Sequence, residues 1–132
     1  MSDRIAIVTG GGSGIGRAIG LRLASDGNMV AIFDLDGDAA AATADTIVEA
    51  GGKALGVQVD VTDRANIDAG VAEVRSRLGR PTVLVNNAGL SLDSPFLDIT
   101  AELWQKSLAV NLTAHTTTIR ACPVVRSWFS TF

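Results

Sequence analysis

An α/β fold, with a parallel sheet covered by helices on both faces, is predicted by three observations. Short apolar runs rich in β-branched residues alternate along the chain with longer segments of helical period. The runs are apolar throughout rather than at every second position, the pattern of strands buried on both faces. A glycine-rich turn, Thr9-Gly10-Gly11-Gly12-Ser13-Gly14-Ile15-Gly16, stands between the first run and the first helical segment. A length of 132 residues suits one domain. With 47% hydrophobic and 19% charged residues, the chain has the composition of a globular core rather than a disordered segment.

The elements read off in order. Ile5-Ala6-Ile7-Val8 forms the centre of a first strand over 4–9, and 14–26 is a first helix, with Ile15, Ile19 and Leu23 at four-residue spacing on one face. Gly27-Asn28 breaks it, and Met29 to Phe33 is a second strand ending at Asp34. Ala40, Ala44, Ile47 and Val48 give the next helix an apolar stripe that Gly51-Gly52 stops. Ala54 to Val59 is a third strand. Thr62 is the expected cap of a third helix, with Asp63 in its first turn and Ile67, Val71, Val74 and Leu78 along one face. Gly79-Arg80-Pro81 ends that helix. Val83-Leu84-Val85 is a fourth strand running into Asn86-Asn87-Ala88-Gly89, and after a loop Thr100 caps a helix to about residue 120. Trp104 and Leu108 read as packing residues of that last helix.

Composition also removes several function classes. The net charge is −3 with no lysine or arginine cluster, which gives nucleic-acid binding little electrostatic support. No apolar run has membrane-spanning length, and Asp3 and Arg4 precede only four apolar residues, too few for a signal peptide. One cysteine, Cys122, and one histidine, His115, exclude an intrachain disulfide and argue against a metal site. A cytoplasmic protein with a reduced thiol is expected.

In a parallel sheet of this kind, ligands bind beyond the carboxyl ends of the strands. The glycine turn, Asp34, Asp60 and Asn87 all fall at such ends. Glycines without Cβ let the backbone turn tightly and let a pyrophosphate approach the N–H groups of a helix start. Asp34, twenty residues beyond Gly14, is placed to accept hydrogen bonds from an adenosine ribose. It repels a 2′-phosphate, and neither Ser13 nor Leu35 offers an offsetting cation, so NAD(H) is preferred over NADP(H). Asp60 and Val61 are placed to border an adenine, or Asp60 merely caps the next helix. Asn86 and Asn87 either tie neighbouring strands together or line a cofactor pocket; the residues leave both open. Asn111 and His115 share a helix face, but spacing alone gives neither a catalytic role.

Taken together these residues resemble the short-chain dehydrogenase/reductase family. The matching stretches are TGGGSGIG at 9–16, Asp34 after the second strand, DV at 60–61, NNAG at 86–89 and the VNL segment holding Asn111, within a likeness over about 4–121. The resemblance implies a Rossmann-type doubly wound sheet of about four strands in the order 3-2-1-4, a dinucleotide-binding domain over 1–121 and a tail over 122–132 outside the likeness. It implies that Gly10, Ser13, Gly14, Ile15 and Gly16 hold the pyrophosphate side, Asp34 the ribose, Asp60 and Val61 the adenine, and Asn87, Ala88 and Gly89 the middle of the cofactor. Asn111 matches the family's catalytic asparagine, which supports a proton-relay water. No metal is implied.

One departure stands out. The family's chemistry uses a serine, then a tyrosine and a lysine four residues apart; tyrosine protonates the carbonyl oxygen and lysine lowers its pKa. This chain has no tyrosine, and its lysines, Lys53 and Lys106, precede Asn111. Ser127 and Ser130 are not substitutes. The expectation is a truncated or frame-shifted oxidoreductase, inactive by itself toward a carbonyl or alcohol substrate; the alternatives are a non-catalytic NAD-binding module and a non-functional product. Val83 to Val85 are expected at an uncovered apolar sheet edge, a route to self-association, with Trp128, Phe129 and Phe132 exposed.

Overall fold

Val30, Ala31, Ile32 and Phe33 expose 1% of their surface or less, so the second strand runs through the middle of the molecule. The structure, a computed structural model, describes residues 4–122. The serines and aromatics of the tail, Ser127, Trp128, Phe129, Ser130 and Phe132, lie outside the described residues. Strand β2 (Met29–Asp34) lies between β1 (Ile5–Thr9) and β3 (Ala54–Gln58), and β4 (Val83–Val85) pairs with the other side of β1. The order is β3-β2-β1-β4 and every pair is parallel, with Ile7 opposite Ala31 on one side and Leu84 on the other. This is the Rossmann-type arrangement that the resemblance implied.

Helices cover both faces, as unalternated apolar strands require. On one face Val8, Val30 and Ile32 pack with Ala40 and Ile47 of α2 (Gly37–Glu49), and with Ile19 and Leu23 of α1 (Gly14–Ser25). On the other, Ile7, Phe33 and Val57 pack with Ile67, Val71 and Val74 of α3 (Arg64–Arg77). Ala121, the last residue of α5 (Ala114–Ala121), and Cys122 join that second cluster, so the packed unit continues one residue past Ala121. The helix from Thr100 is broken: α4 (Ala101–Leu108) passes through a π-helical turn, Ala109–Thr113, before α5.

Four expectations about individual residues are corrected. Ile15 is 76% exposed because the buried face of α1 is made by Gly16 and Gly20. Val48 is 53% exposed; it follows Ile47 by one residue, about 100° round the helix, and Thr43 takes the fourth buried place on α2. The cap of α3 is Asp63, whose carboxylate accepts from the Asn66 N–H, while the Thr62 hydroxyl bonds Asp60 instead. Trp104 is 49% exposed rather than packed away. Asp36 and Thr100 cap α2 and α4 with their side chains. At the sheet edge, Val83, Leu84 and Val85 are half-buried, and β4 pairs only with β1 among the described residues.

Thr43 is fully buried and its Oγ1 has no hydrogen-bond partner among the described residues. A buried hydroxyl without a partner costs about 1–3 kcal/mol. Thr43→Val keeps the branched shape and removes that cost, so it should stabilise the fold by about 1 kcal/mol. A urea denaturation midpoint that rises with an unchanged slope is the expected result.

Candidate functional site

The site is assembled around Thr9, the last residue of β1, which is 1% exposed. Its hydroxyl oxygen accepts from the backbone N–H groups of Asn87 and Ala88, both at 3.0 Å. The Asn87 side-chain amide returns the link, donating to Thr9 O at 3.1 Å and Gly10 O at 3.2 Å. The glycine turn after β1 and the loop after β4 are thereby fixed to each other. Gly10, at φ +64°, lies so close to this loop that a Cβ there would come within 2.9 Å of the Ala88 Cα. A Cβ on Gly16 would overlap the Gly10 carbonyl oxygen and the Asn87 amide, so only glycine lets α1 close against the turn.

Beyond this clasp the start of α1 is open. Ser13 is extended and makes no side-chain cap bond, and the first turn carries no acidic residue. Gly14 has φ +52°, and a Cβ built on it would meet nothing within 4 Å. Ser13, Gly14 and Ile15 are all exposed. The helix start therefore presents free N–H groups and the positive end of its dipole to open space, an arrangement suited to an anion.

Asp34 stands at the end of β2 and is oriented from two sides. Its Oδ2 accepts from the Gly12 N–H at 2.9 Å and its Oδ1 from the Asp36 N–H at 3.0 Å. A carboxylate offers about four lone-pair positions, so two acceptor sites are left for hydroxyl donors. Asp60 follows β3. Thr62 holds its carboxyl below the ordinary aspartate value of 3.8, chiefly through the threonine hydroxyl at 2.6 Å and then through its backbone N–H at 2.9 Å, with partial burial opposing. Asp60 is thus kept ionised, and its own N–H donates to Asn66 Oδ1.

Asn111 lies in the π-helical turn and clamps the loop after β4. Its Oδ1 accepts from the Leu90 N–H at 2.7 Å and its Nδ2 donates to Leu90 O at 2.8 Å and to Ser107 Oγ at 3.1 Å. Asn86 accepts from the buried Thr118 hydroxyl and so ties β4 to α5. His115 Nε2 is 3.4 Å from Ala88 O.

One groove of about 500 Å³ collects these parts. Of the residues singled out in the sequence, Gly10, Ser13, Gly14, Ile15, Asp34, Asp60, Val61, Asn87, Ala88 and Gly89 line it. Gly16 is buried beneath it and Asn111 acts one step away, through Leu90. The two asparagines divide the roles left open by their sequence: Asn86 is a tie, while Asn87 is both tie and lining. Sequence reasoning missed Thr9 as the fastening point and missed Leu35, Val59, Leu90, Lys106 and Val110 in the lining. The four-residue spacing of Lys106 and Val110 was the available signal for that last pair. Among the described residues no group of three or more histidine, cysteine, aspartate or glutamate side chains could hold a metal, and no helix is long and apolar enough to cross a membrane.

The family model described as short chain dehydrogenase matches residues 4–125. An L-2,3-butanediol dehydrogenase of Corynebacterium glutamicum is 43% identical over 112 residues, which cover 83% of this chain and 43% of that protein. A sorbitol dehydrogenase of Cereibacter sphaeroides is 40% identical over 112 residues, covering 85% and 43% respectively. A 2,5-dichloro-2,5-cyclohexadiene-1,4-diol dehydrogenase of Sphingobium indicum is 38% identical over 114 residues, covering 86% and 46%. The chain spans less than half the length of these relatives.

Two outcomes follow from the geometry. Thr9→Val removes the acceptor of two part-buried N–H groups and should destabilise the fold by about 1–3 kcal/mol, read as a lower denaturation midpoint. Thr62→Val should return the Asp60 carboxyl toward its ordinary value, followed by carbon-detected titration of the side chain. Because the folded carboxyl sits below the unfolded one, its stabilising contribution is present above pH 3.8 and disappears as the pH falls through the folded value, so native and Thr62→Val proteins should differ least in the most acidic samples.

Proposed function

The chain belongs to the short chain dehydrogenase family, and we propose that these 132 residues form the dinucleotide-binding part of an oxidoreductase that takes NAD(H) in preference to NADP(H). The observation that carries this reading is the convergence of an uncapped helix start, a backbone open above Gly14 and the oriented carboxylate of Asp34 on one groove. Each part suits a different piece of a dinucleotide. In this reading the N–H groups around Ser13, Gly14 and Ile15 hold the pyrophosphate, and Gly10 and Gly16 keep the turn tight beneath it. Asp34 takes the ribose hydroxyls with its remaining acceptor sites. Asp60 and Val61 border the adenine, and Asn87, Ala88 and Gly89 line the middle of the cofactor.

The bound nicotinamide supplies a hydride donor or acceptor. Asn111 keeps the Leu90 backbone in place beside the groove and is the one residue of the family's proton relay that this chain carries. No tyrosine is present, and Lys53 and Lys106 both precede Asn111, so the chain by itself is read as binding cofactor without turnover. The names of the butanediol and sorbitol dehydrogenases support an alcohol, or the carbonyl it yields, as the substrate class of a whole protein. The free edge of β4 is read as the seam where a further strand of such a protein adds, or where a second copy of this chain pairs. A cytoplasmic location is proposed because the sequence holds a single cysteine and therefore no intrachain disulfide.

Calorimetric titration of the 132-residue chain tests the reading. NADH should bind about tenfold more tightly than NADPH, a difference of about 1.4 kcal/mol, because Asp34 repels the 2′-phosphate. Asp34→Asn should narrow that gap. Equal affinities in the native chain overturn the ribose assignment, and no binding of either nucleotide overturns the reading as a whole.

A further inference from the structure

We propose that Lys106 is the cation of the groove and a positioning residue for the phosphate-bearing part of the bound nucleotide, an inference that rests on the dinucleotide reading above. Three of the groove's lining residues carry full charges: Asp34, Asp60 and Lys106. Two carboxylates facing a ligand that is itself an anion leave an electrostatic deficit. The start of α1 supplies only a partial positive charge. Lys106 is the one lining residue that adds a whole one.

Its placement is fixed while its tip is free. Thr100 caps α4 by accepting from the Leu103 N–H at 3.2 Å. One residue past Lys106, the Ser107 hydroxyl is held by Asn111, which also grips the Leu90 backbone. The backbone that carries Lys106 is therefore fastened to the loop after β4. Val110, one helical turn on, lines the same groove, which confirms that this face of α4 and the π-helical turn looks inward. The ion pairs of the described residues are Arg22–Asp26, Arg64–Asp68 and Arg77–Glu73, each between residues four apart in sequence. Lys106 is in none of them, and its ammonium makes no hydrogen bond among the described residues. An exposed lysine, unpaired at the wall of a groove with two carboxylates, is available to a ligand phosphate without an existing ion pair having to break. The opposite case is seen on α3, where the Arg64 and Arg77 side chains are already engaged by carboxylates of their own helix.

The test compares Lys106→Ala, Lys106→Glu and Lys106→Arg with the native chain. NADH, ADP-ribose and uncharged adenosine are titrated at low and high salt. Alanine should weaken NADH and ADP-ribose about fivefold at low salt and glutamate more than about tenfold, with arginine close to native. Adenosine should bind all four proteins equally, and the losses for the phosphorylated ligands should shrink at high salt. A merely structural role would alter adenosine binding too and would carry no salt dependence. Native affinity for NADH in the alanine and glutamate variants, or an equal loss for adenosine, overturns the assignment while leaving the dinucleotide reading intact. If the native chain binds neither NADH nor ADP-ribose, both fall together.

Discussion

The hydroxyl of Thr9 holds the two halves of the site together. A single buried oxygen accepts from consecutive backbone N–H groups at Asn87 and Ala88, nearly eighty residues away in sequence. Those N–H groups lie just past the end of β4, where the strand ladder no longer provides partners. Donors withdrawn that far from solvent need an acceptor, and no apolar side chain can provide one. The Asn87 amide closes the loop by bonding the carbonyls of Thr9 and Gly10. The distance between the glycine turn and the β4 loop is thus set by hydrogen bonds, not by loop packing.

Other features of the site inherit that spacing. With Gly10 pressed against Ala88 and Gly16 against the Gly10 carbonyl, α1 begins at a fixed height above the sheet. Its first turn then has no side-chain cap of its own, although Asp36, Asp63 and Thr100 cap the starts of α2, α3 and α4. The uncapped donors and the open space above Gly14 coincide. A polar side chain at Ser13 could have closed the helix start, yet it stands extended without a cap bond. Those N–H groups are left to solvent, and a helix start of that kind suits an anion. Asp34 belongs to the same construction, since one of its oxygens is spent on the Gly12 N–H and so helps shape the turn that it faces.

The fold was legible because its cause is local: continuous apolar runs, helical stripes and glycine stops specify a parallel sheet with helices on both faces. The rim residues were legible too, since strand ends are where a ligand meets such a sheet. What stayed hidden depends on long-range partners. Ile15 reads as one more residue of an apolar stripe, and only the close approach of Gly16 and Gly20 to the sheet turns it outward. Thr62 and Asp63 are both good caps, and the choice between them was made by Asp60, which takes the Thr62 hydroxyl. The π-helical turn at 109–113 has no signature in spacing, because the widened turn is held by Asn111 reaching the backbone of Leu90. Lys106 entered the groove for the same reason, carried there by a helix whose orientation the local sequence does not state.

In the proposed reading, cofactor binding and proton transfer are physically separable. The groove is built from the ends of β1 to β4, the helix start, loops and π-helical turn that follow them, and Lys106 of α4, and the hydrogen bonds that fasten the glycine turn, Asp34, Asp60 and Leu90 lie within residues 9–111. None of those bonds requires a tyrosine. The groove is therefore preorganised without the tyrosine of the family's chemistry, and in the proposed reading Asn111 is where cofactor binding and proton transfer meet. Its side chain is occupied in holding Leu90, so in that reading it contributes through the backbone it positions. The groove's charges are divided in the same way: the carboxylates of Asp34 and Asp60 stand against the positive end of a helix and the ammonium of Lys106. In the proposed reading, binding belongs to the sheet's rim and reactivity to groups that are not among the residues lining it.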